Sequence, residues 1–336
     1  MFKSALKLFS KSPNQGSVLP CGLISREPIL MISFWNDFQK KIDKILGPIP
    51  DHKRAYMVIL FDHHRISADR ARIVCEDVEI YKLRYPNIEF LFLCNSVDEK
   101  LYFDQVHLQS IHCHAAVFLD EHRYQVENTN VKDFQAVYRS DIKPCNRHDL
   151  AVDIDDLLLV GNYTPSDAIH FTNVMDNLQT AKFVRPKGRV DSLLTRSKVG
   201  VCLGDADGDV FSCVEYLLCG LNVVTTDDYK ANTLFYNDDY VTVTRSFSTA
   251  INKAVKESSK YNVDPYVIRE KTLHILAEHR ARFIDFIQDK YDRQGTKSPF
   301  LKGWHSSFSH LLGLRQVDSK SSKSKLNLLR VDERYI

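Results

Sequence analysis

Short, almost unbroken apolar runs alternate along this chain with stretches of helical periodicity. Positions 55–61, 88–94 and 114–119 are strand-length apolar runs of the kind buried on both faces of a parallel sheet. A helical stretch running to about Leu83 separates the first two. Earlier, Phe38, Ile42, Ile45 and Leu46 share one helical face, which the Gly47-Pro48-Ile49-Pro50 break ends. Positions 1–27 carry no clear period and read as a leader. A second block opens with a strand at 134–138 and a helix from about Arg147, then returns to a strand at 157–161. It continues through a helix at 166–178, a strand at 181–184, a helix at 189–196, a strand at 241–244 and a helix at 247–256. Asp264 and Pro265 then open a long helix to about Tyr291. Strand and helix alternating in this way predict parallel sheets covered by helices.

The densest stretch is 197–226, which reads as strand, acidic loop, helix and strand in one run. Positions 198–203 are apolar after a polar start, Gly204 and Gly208 interrupt them, and Val210, Val214, Leu217 and Leu218 recur at helical spacing. Gly220 stops that helix, and 221–225 resumes as a β-branched run. Ligands in open α/β sheets bind beyond the carboxyl ends of the strands, which puts the 204–209 loop at the mouth of a site. This reading places Glu215 about two turns into the helix and Asp207 just before it.

The D-x(7)-E spacing from Asp207 to Glu215, ending in Glu215-Tyr216-Leu217-Leu218-Cys219-Gly220, resembles the C-terminal signature of retaining GT-B glycosyltransferases of the glycosyl transferases group 1 type. In that family the acidic pair is usually Glu and Glu. The resemblance covers roughly 133–262 and is weak before it. It implies an α/β fold of the GT-B kind: two Rossmann-like doubly wound domains, the N-terminal one reduced, with C-terminal helices packing back on it. The corresponding division is a leader and amphipathic helix at 1–50, an acceptor-side domain at 51–132, a nucleotide-sugar-binding domain at 133–262, closing helices at 263–313 and a basic tail at 314–336.

The same resemblance implies transfer of a hexosyl group from a nucleotide-diphosphate sugar to a glycan, lipid-linked or polysaccharide acceptor. Glu215 would accept both ribose hydroxyls, Asp207 would face the hexose, and Gly204 would line the loop. Arg139, Lys143 and Arg147 follow the 134–138 strand, at the rim where a departing diphosphate needs neutralising. The positions aligned with the family's diphosphate-clamping Arg and Lys are Asp141 and Asn146, so neighbouring cations substitute or the clamp is lost. The family's Gly-Gly pair is replaced by 227–232, where Lys230 and Asn232 can donate from side chains. From the first domain, His63 and His114 are candidates to orient the hexose or move a proton. Each fits a core or solvated imidazole as well.

Composition bounds the rest. With 336 residues, 44% hydrophobic and 26% charged at net +2, the chain has an ordinary globular make-up sized for two domains. Eight cysteines without a secretory start point to reduced thiols and a cytoplasmic location. The apolar run at 29–35 is far short of the ~20 residues a membrane helix needs. Residues 1–54 hold nine Lys or Arg against four Asp or Glu, a local +5, and 314–336 hold six against three, a local +3, leaving −6 for the body. Basic ends suit peripheral contact with an anionic membrane, and equally suit solubilising tails. No basic stripe interleaved with aromatics speaks for nucleic acid. Asp205, Asp207 and Asp209 alternate as oxygen ligands would, yet a calcium loop wants Gly where Val210 stands and Glu where Tyr216 stands, so no metal and no bound cofactor is expected. Two alternatives remain open: a non-catalytic sugar-nucleotide-binding or scaffold subunit with a degenerate site, and a sugar-nucleotide epimerase.

Overall fold

A computed structural model describes residues 21–61, 66–127, 132–186, 190–204, 211–228, 233–296 and 300. These fall into two compact units. One holds the described residues up to Leu119 together with those from His279 onward, and the other spans Asp120–Glu278.

The first unit is built on a five-stranded sheet whose strands lie side by side in chain order: β1 (Gly22–Arg26), β2 (Ile29–Phe34), β3 (Ala55–Leu60), β4 (Ile88–Cys94) and β5 (Ser110–His112). β1 runs antiparallel to β2 and the other neighbours are parallel. All six residues of β3 are buried, as its unbroken apolar run requires of a strand covered on both faces. Trp35, Phe38, Phe61, Phe90, Phe92 and Phe103 form the aromatic part of the core, with Phe92 and Phe103 centred 5.2 Å apart. Two serines start the helices. Ser67 accepts from the Arg70 N–H ahead of Ala68–Arg84, and Ser96 from the Glu99 N–H ahead of Val97–Gln105. Asn95 ties three segments together, donating to the Phe61 carbonyl and accepting from the Ala115 N–H, both at 2.9 Å.

Two expectations change here. The segment read as leader contains β1, which Glu27-Pro28 joins to β2 just beyond it. The run 114–119 is not a strand: Ala115–Phe118 forms a 3-10 turn with all four side chains buried, and the strand beside β4 is the less apolar β5. The His114 ring nitrogen accepts the Ala116 N–H at 3.1 Å, and that local bond favours a turn over an extended strand.

The second unit carries a six-stranded, wholly parallel sheet in the order β11-β10-β9-β6-β7-β8. Its strands are β6 (Phe134–Arg139), β7 (Leu157–Val160), β8 (Lys182–Val184), β9 (Ser197–Cys202), β10 (Asn222–Thr226) and β11 (Val241–Thr244). From β6 the chain builds outward through β7 and β8, then returns to the other side of β6 and builds outward through β9, β10 and β11. The order therefore reverses between β6 and β9, and the crevice beyond their carboxyl ends is where doubly wound sheets bind ligands. Helices Ala168–Asn177 and Ser212–Leu218 connect strands, and Ser248–Ser258 and then Pro265–Arg293 follow β11. The 140–156 connection carries two short 3-10 turns, Pro144–Asn146 and His148–Ala151, rather than the helix expected from about Arg147, which is itself in the left-handed region at φ 44°.

Candidate functional site

The switch point is assembled by the backbone ends of β6 and β9. Tyr138 lies opposite Val201 across the two strands. Tyr216, on the Ser212–Leu218 helix, reaches over this seam. Its phenol oxygen accepts the Arg139 N–H at 2.6 Å and its hydroxyl lies 3.4 Å from the Val201 carbonyl. The ring can lie there because residue 200 is glycine: a Cβ on Gly200 would stand 2.3 Å from the ring. Ser212 donates to the Arg139 carbonyl at 2.9 Å, so both backbone polar groups of Arg139 are held by side chains of one helix. Gly220, at φ 73°, closes that helix, with a left-handed turn that a side chain would drive into Pro265.

Glu215 sits at the centre. The helix begins at Ser212, so Glu215 lies in its first turn rather than two turns in. Its side chain is 1% exposed. The Tyr124 hydroxyl donates to Oε1 at 2.6 Å, and the Arg139 guanidinium pairs with Oε2. Tyr124 is itself held by Arg269, which donates to the backbone carbonyls of Tyr124 and Glu121 and to the Leu218 carbonyl at the end of the Glu215 helix. A buried carboxylate is tolerated only with such partners.

Arg147 occupies the neighbouring ends of β9, β10 and β11. It donates to the carbonyls of Leu203 at 2.7 Å and Gly204 at 3.2 Å, to Ser246 at 3.0 Å and Thr226 at 3.2 Å, and it forms a two-nitrogen ion pair with Asp228. Hydrogen bonding from Arg147, backed by Thr226 and Ser246, holds the Asp228 carboxyl well below the usual carboxylate range against partial desolvation. Lys143 is exposed on the approach to Pro144. Asn146 is buried, donating to the Asp141 carbonyl at 2.6 Å and accepting from Tyr138. Behind this loop, His148 is buried with its ring 5.2 Å from Tyr138 and 6.4 Å from His170. Burial, then the charge of His170, lowers its pKa to about 4.

Within the first unit, the strand ends carry a histidine cluster of their own. The His114 N–H donates to the Nδ1 atom of His279 at 3.1 Å, and the rings of His112 and His279 meet edge to face at 4.8 Å. Burial, followed by His112, Arg282 and His114, pushes His279 down to about 3, and burial also lowers His112.

No protein-family model matches the chain, and no curated protein sequence matches it. Solved structures do. HepE of Anabaena, solved with UDP, superposes with a TM-score of 0.56 at 12% identity over 77% of this chain and 78% of its own. Sucrose-phosphate synthase of Thermosynechococcus elongatus gives 0.52 at 14% identity over 79% and 73%. TarM of S. aureus, solved with UDP among its ligands, gives 0.51 at 13% identity over 83% and 55%. The fold is that of the GT-B glycosyltransferases.

Within that fold, the structure brings Glu215, Arg139, Arg147 and Gly204 together around the carboxyl ends of β6 and β9, all in the second unit. His114 belongs to the first unit, fully buried, with its ring nitrogen used as a turn cap. Asp207, His63, Lys230 and Asn232 lie outside the described residues. Among the described residues no group of three or more His, Cys, Asp or Glu is placed to hold a metal, and no helix is long and apolar enough to cross a membrane. Sequence reasoning missed Tyr124, Ser212, Asp228 and Arg269. Tyr124 and Arg269 stand 91 and 51 residues from the positions they serve, so no local pattern announces them.

Proposed function

We propose that the chain is a glycosyltransferase that moves a hexosyl group from a nucleotide-diphosphate sugar to a glycan or lipid-linked acceptor. The observation that carries this reading is a buried carboxylate, Glu215, paired with a guanidinium, Arg139, at the topological switch point of a β8-β7-β6-β9-β10-β11 parallel sheet. A carboxylate offers two acceptor oxygens, matching the adjacent hydroxyls of a ribose. Arg139 and Lys143 supply positive charge at the same rim, where the leaving diphosphate gathers negative charge as the glycosidic bond breaks. Tyr124 and Arg269 hold the carboxylate in place, so little reorganisation is left for the moment of reaction. Structures sharing the fold were solved with UDP and with UDP-glucose, which supports a uridine donor as the first to try.

A thermal-shift panel of nucleoside diphosphates and their sugars tests donor binding, because ligand at a hundred times its dissociation constant stabilises by about 2.7 kcal/mol. Release of nucleoside diphosphate only when an acceptor is added separates transfer from epimerisation. A second reading is a sugar-nucleotide-binding subunit without turnover. It draws on one feature: Arg147, a candidate phosphate cation, already spends its donors on five protein residues. Donor binding with no release across a wide acceptor panel would favour that subunit.

A further inference from the structure

Glu215 is already occupied. One oxygen takes the Tyr124 hydroxyl, the other faces Arg139, and the side chain is almost wholly buried. A ribose cannot reach this carboxylate while Arg139 remains on it. Arg139 has its backbone pinned at both ends, its N–H on Tyr216 and its carbonyl under Ser212, so only its side chain is free to relocate. That side chain is 15% exposed, and among the described residues its guanidinium pairs with Glu215 alone. Arg147 differs, since moving it would strip donors from the ends of β9 and β10 and from Asp228 and Ser246.

We propose that Arg139 exchanges partners, leaving Glu215 for the diphosphate of an arriving nucleotide, so that the site selects nucleoside diphosphates over nucleosides. The proposal rests on the nucleotide-binding reading above and adds a coupling to it. A nucleoside must open a buried ion pair and offers the released guanidinium nothing in return. A nucleoside diphosphate opens the same pair and gives the fork of donors a new anion. Ribose recognition and phosphate recognition thereby become one event: the population of open carboxylate limits nucleoside affinity, and phosphate lifts that limit.

The experiment is calorimetric titration of uridine and of UDP, or of the pair whose base the thermal-shift panel selects, into the full chain and two variants. Arg139→Met leaves the carboxylate open. It should bind nucleoside several-fold more tightly, because the competent state no longer has to be paid for by opening, while losing roughly tenfold to a hundredfold in diphosphate affinity. Glu215→Gln loosens the anchor and keeps the cation. Both ligands lose the charged ribose contact and both escape the cost of opening the pair, while the contact of Arg139 with phosphate is kept, so the ratio of diphosphate to nucleoside affinity should stay near the wild-type ratio. Should Arg139→Met fail to fold, Glu215→Gln carries the test alone. A ratio that rises in Glu215→Gln means that Arg139 reaches phosphate only once the carboxylate charge is gone, which overturns the coupling and leaves nucleotide binding standing. Wild-type protein that binds no nucleoside diphosphate of any base overturns the glycosyltransferase reading together with the coupling.

Discussion

Replacing Tyr124 with Phe removes one oxygen atom from the buried polar cluster around Glu215. The ring is 2% exposed and Phe keeps its volume, so no cavity opens. What disappears is the 2.6 Å donor to Glu215 Oε1, a hydrogen bond to a charged acceptor that water cannot replace. Bonds of that type contribute about 1.5–3 kcal/mol. In a unit of this size, each kcal/mol moves the melting temperature by about 2–4 °C, so the variant should melt roughly 3–12 °C lower. A double-mutant cycle identifies the cause. If Tyr124 acts through the carboxylate, its replacement should cost much less in a Glu215→Ala background, giving an interaction energy above about 1 kcal/mol. Urea unfolding of the four proteins, compared at the midpoint with unchanged slope, supplies the numbers. Additivity within about 0.5 kcal/mol would refute the reasoning and reduce Tyr124 to packing.

Gly200→Ala should destabilise by about 1–3 kcal/mol, read from the urea midpoint, because its Cβ would meet a buried ring whose hydroxyl is anchored on β6; a neutral result would mean Tyr216 is free to shift. Stability should fall with acid between about pH 6.5 and pH 4: in that window the unfolded His148 binds a proton that the folded one refuses, costing up to about 3 kcal/mol once pH drops below 4. His148→Phe should therefore flatten part of that slope relative to wild type, with none of the difference visible above pH 7. Arg147→Ala should cost about 1–3 kcal/mol of stability and weaken nucleoside and nucleoside diphosphate in equal proportion, since its guanidinium is spent on the protein; a selective loss for the diphosphate would place it on phosphate instead.

Much of the second unit was legible in the sequence because its central strands each hold a short apolar or β-branched stretch bounded by polar or glycine residues. The β6, β7, β9, β10 and β11 bounds fall within a residue or two of the expected ones. The loop after β9 was legible through Gly204, and the helix stop through Gly220. Elsewhere local pattern and tertiary context pulled apart. Leu23 to Phe34 offers no clean alternation, because β2 is buried along nearly its whole length and its partner β1 mixes Ser25 and Arg26 with apolar residues; the pair is defined by docking on β3. The apolar run at 114–119 is buried as expected but as a turn, for a core position fixes exposure and not backbone conformation. At the site, Glu215 was visible as a carboxylate in an apolar helix, which demands a partner. The partners it finds, Tyr124 and Arg139 together, come from segments that meet only in the folded unit.

Arg147 also sets an order of events. Its acceptors lie 56, 57, 79, 81 and 99 residues further along the chain, so its cross-brace can close only after β9, β10 and the turn before Ser248–Ser258 have all arrived. Contacts of such separation carry a high loop-closure cost and belong late in folding. The brace therefore acts on the unfolding limb: loss of the guanidinium should quicken escape from the native state while leaving the rate of reaching it almost unchanged. A side chain set at the mouth of a ligand crevice would in that case serve as the latch that decides how long the sheet stays shut.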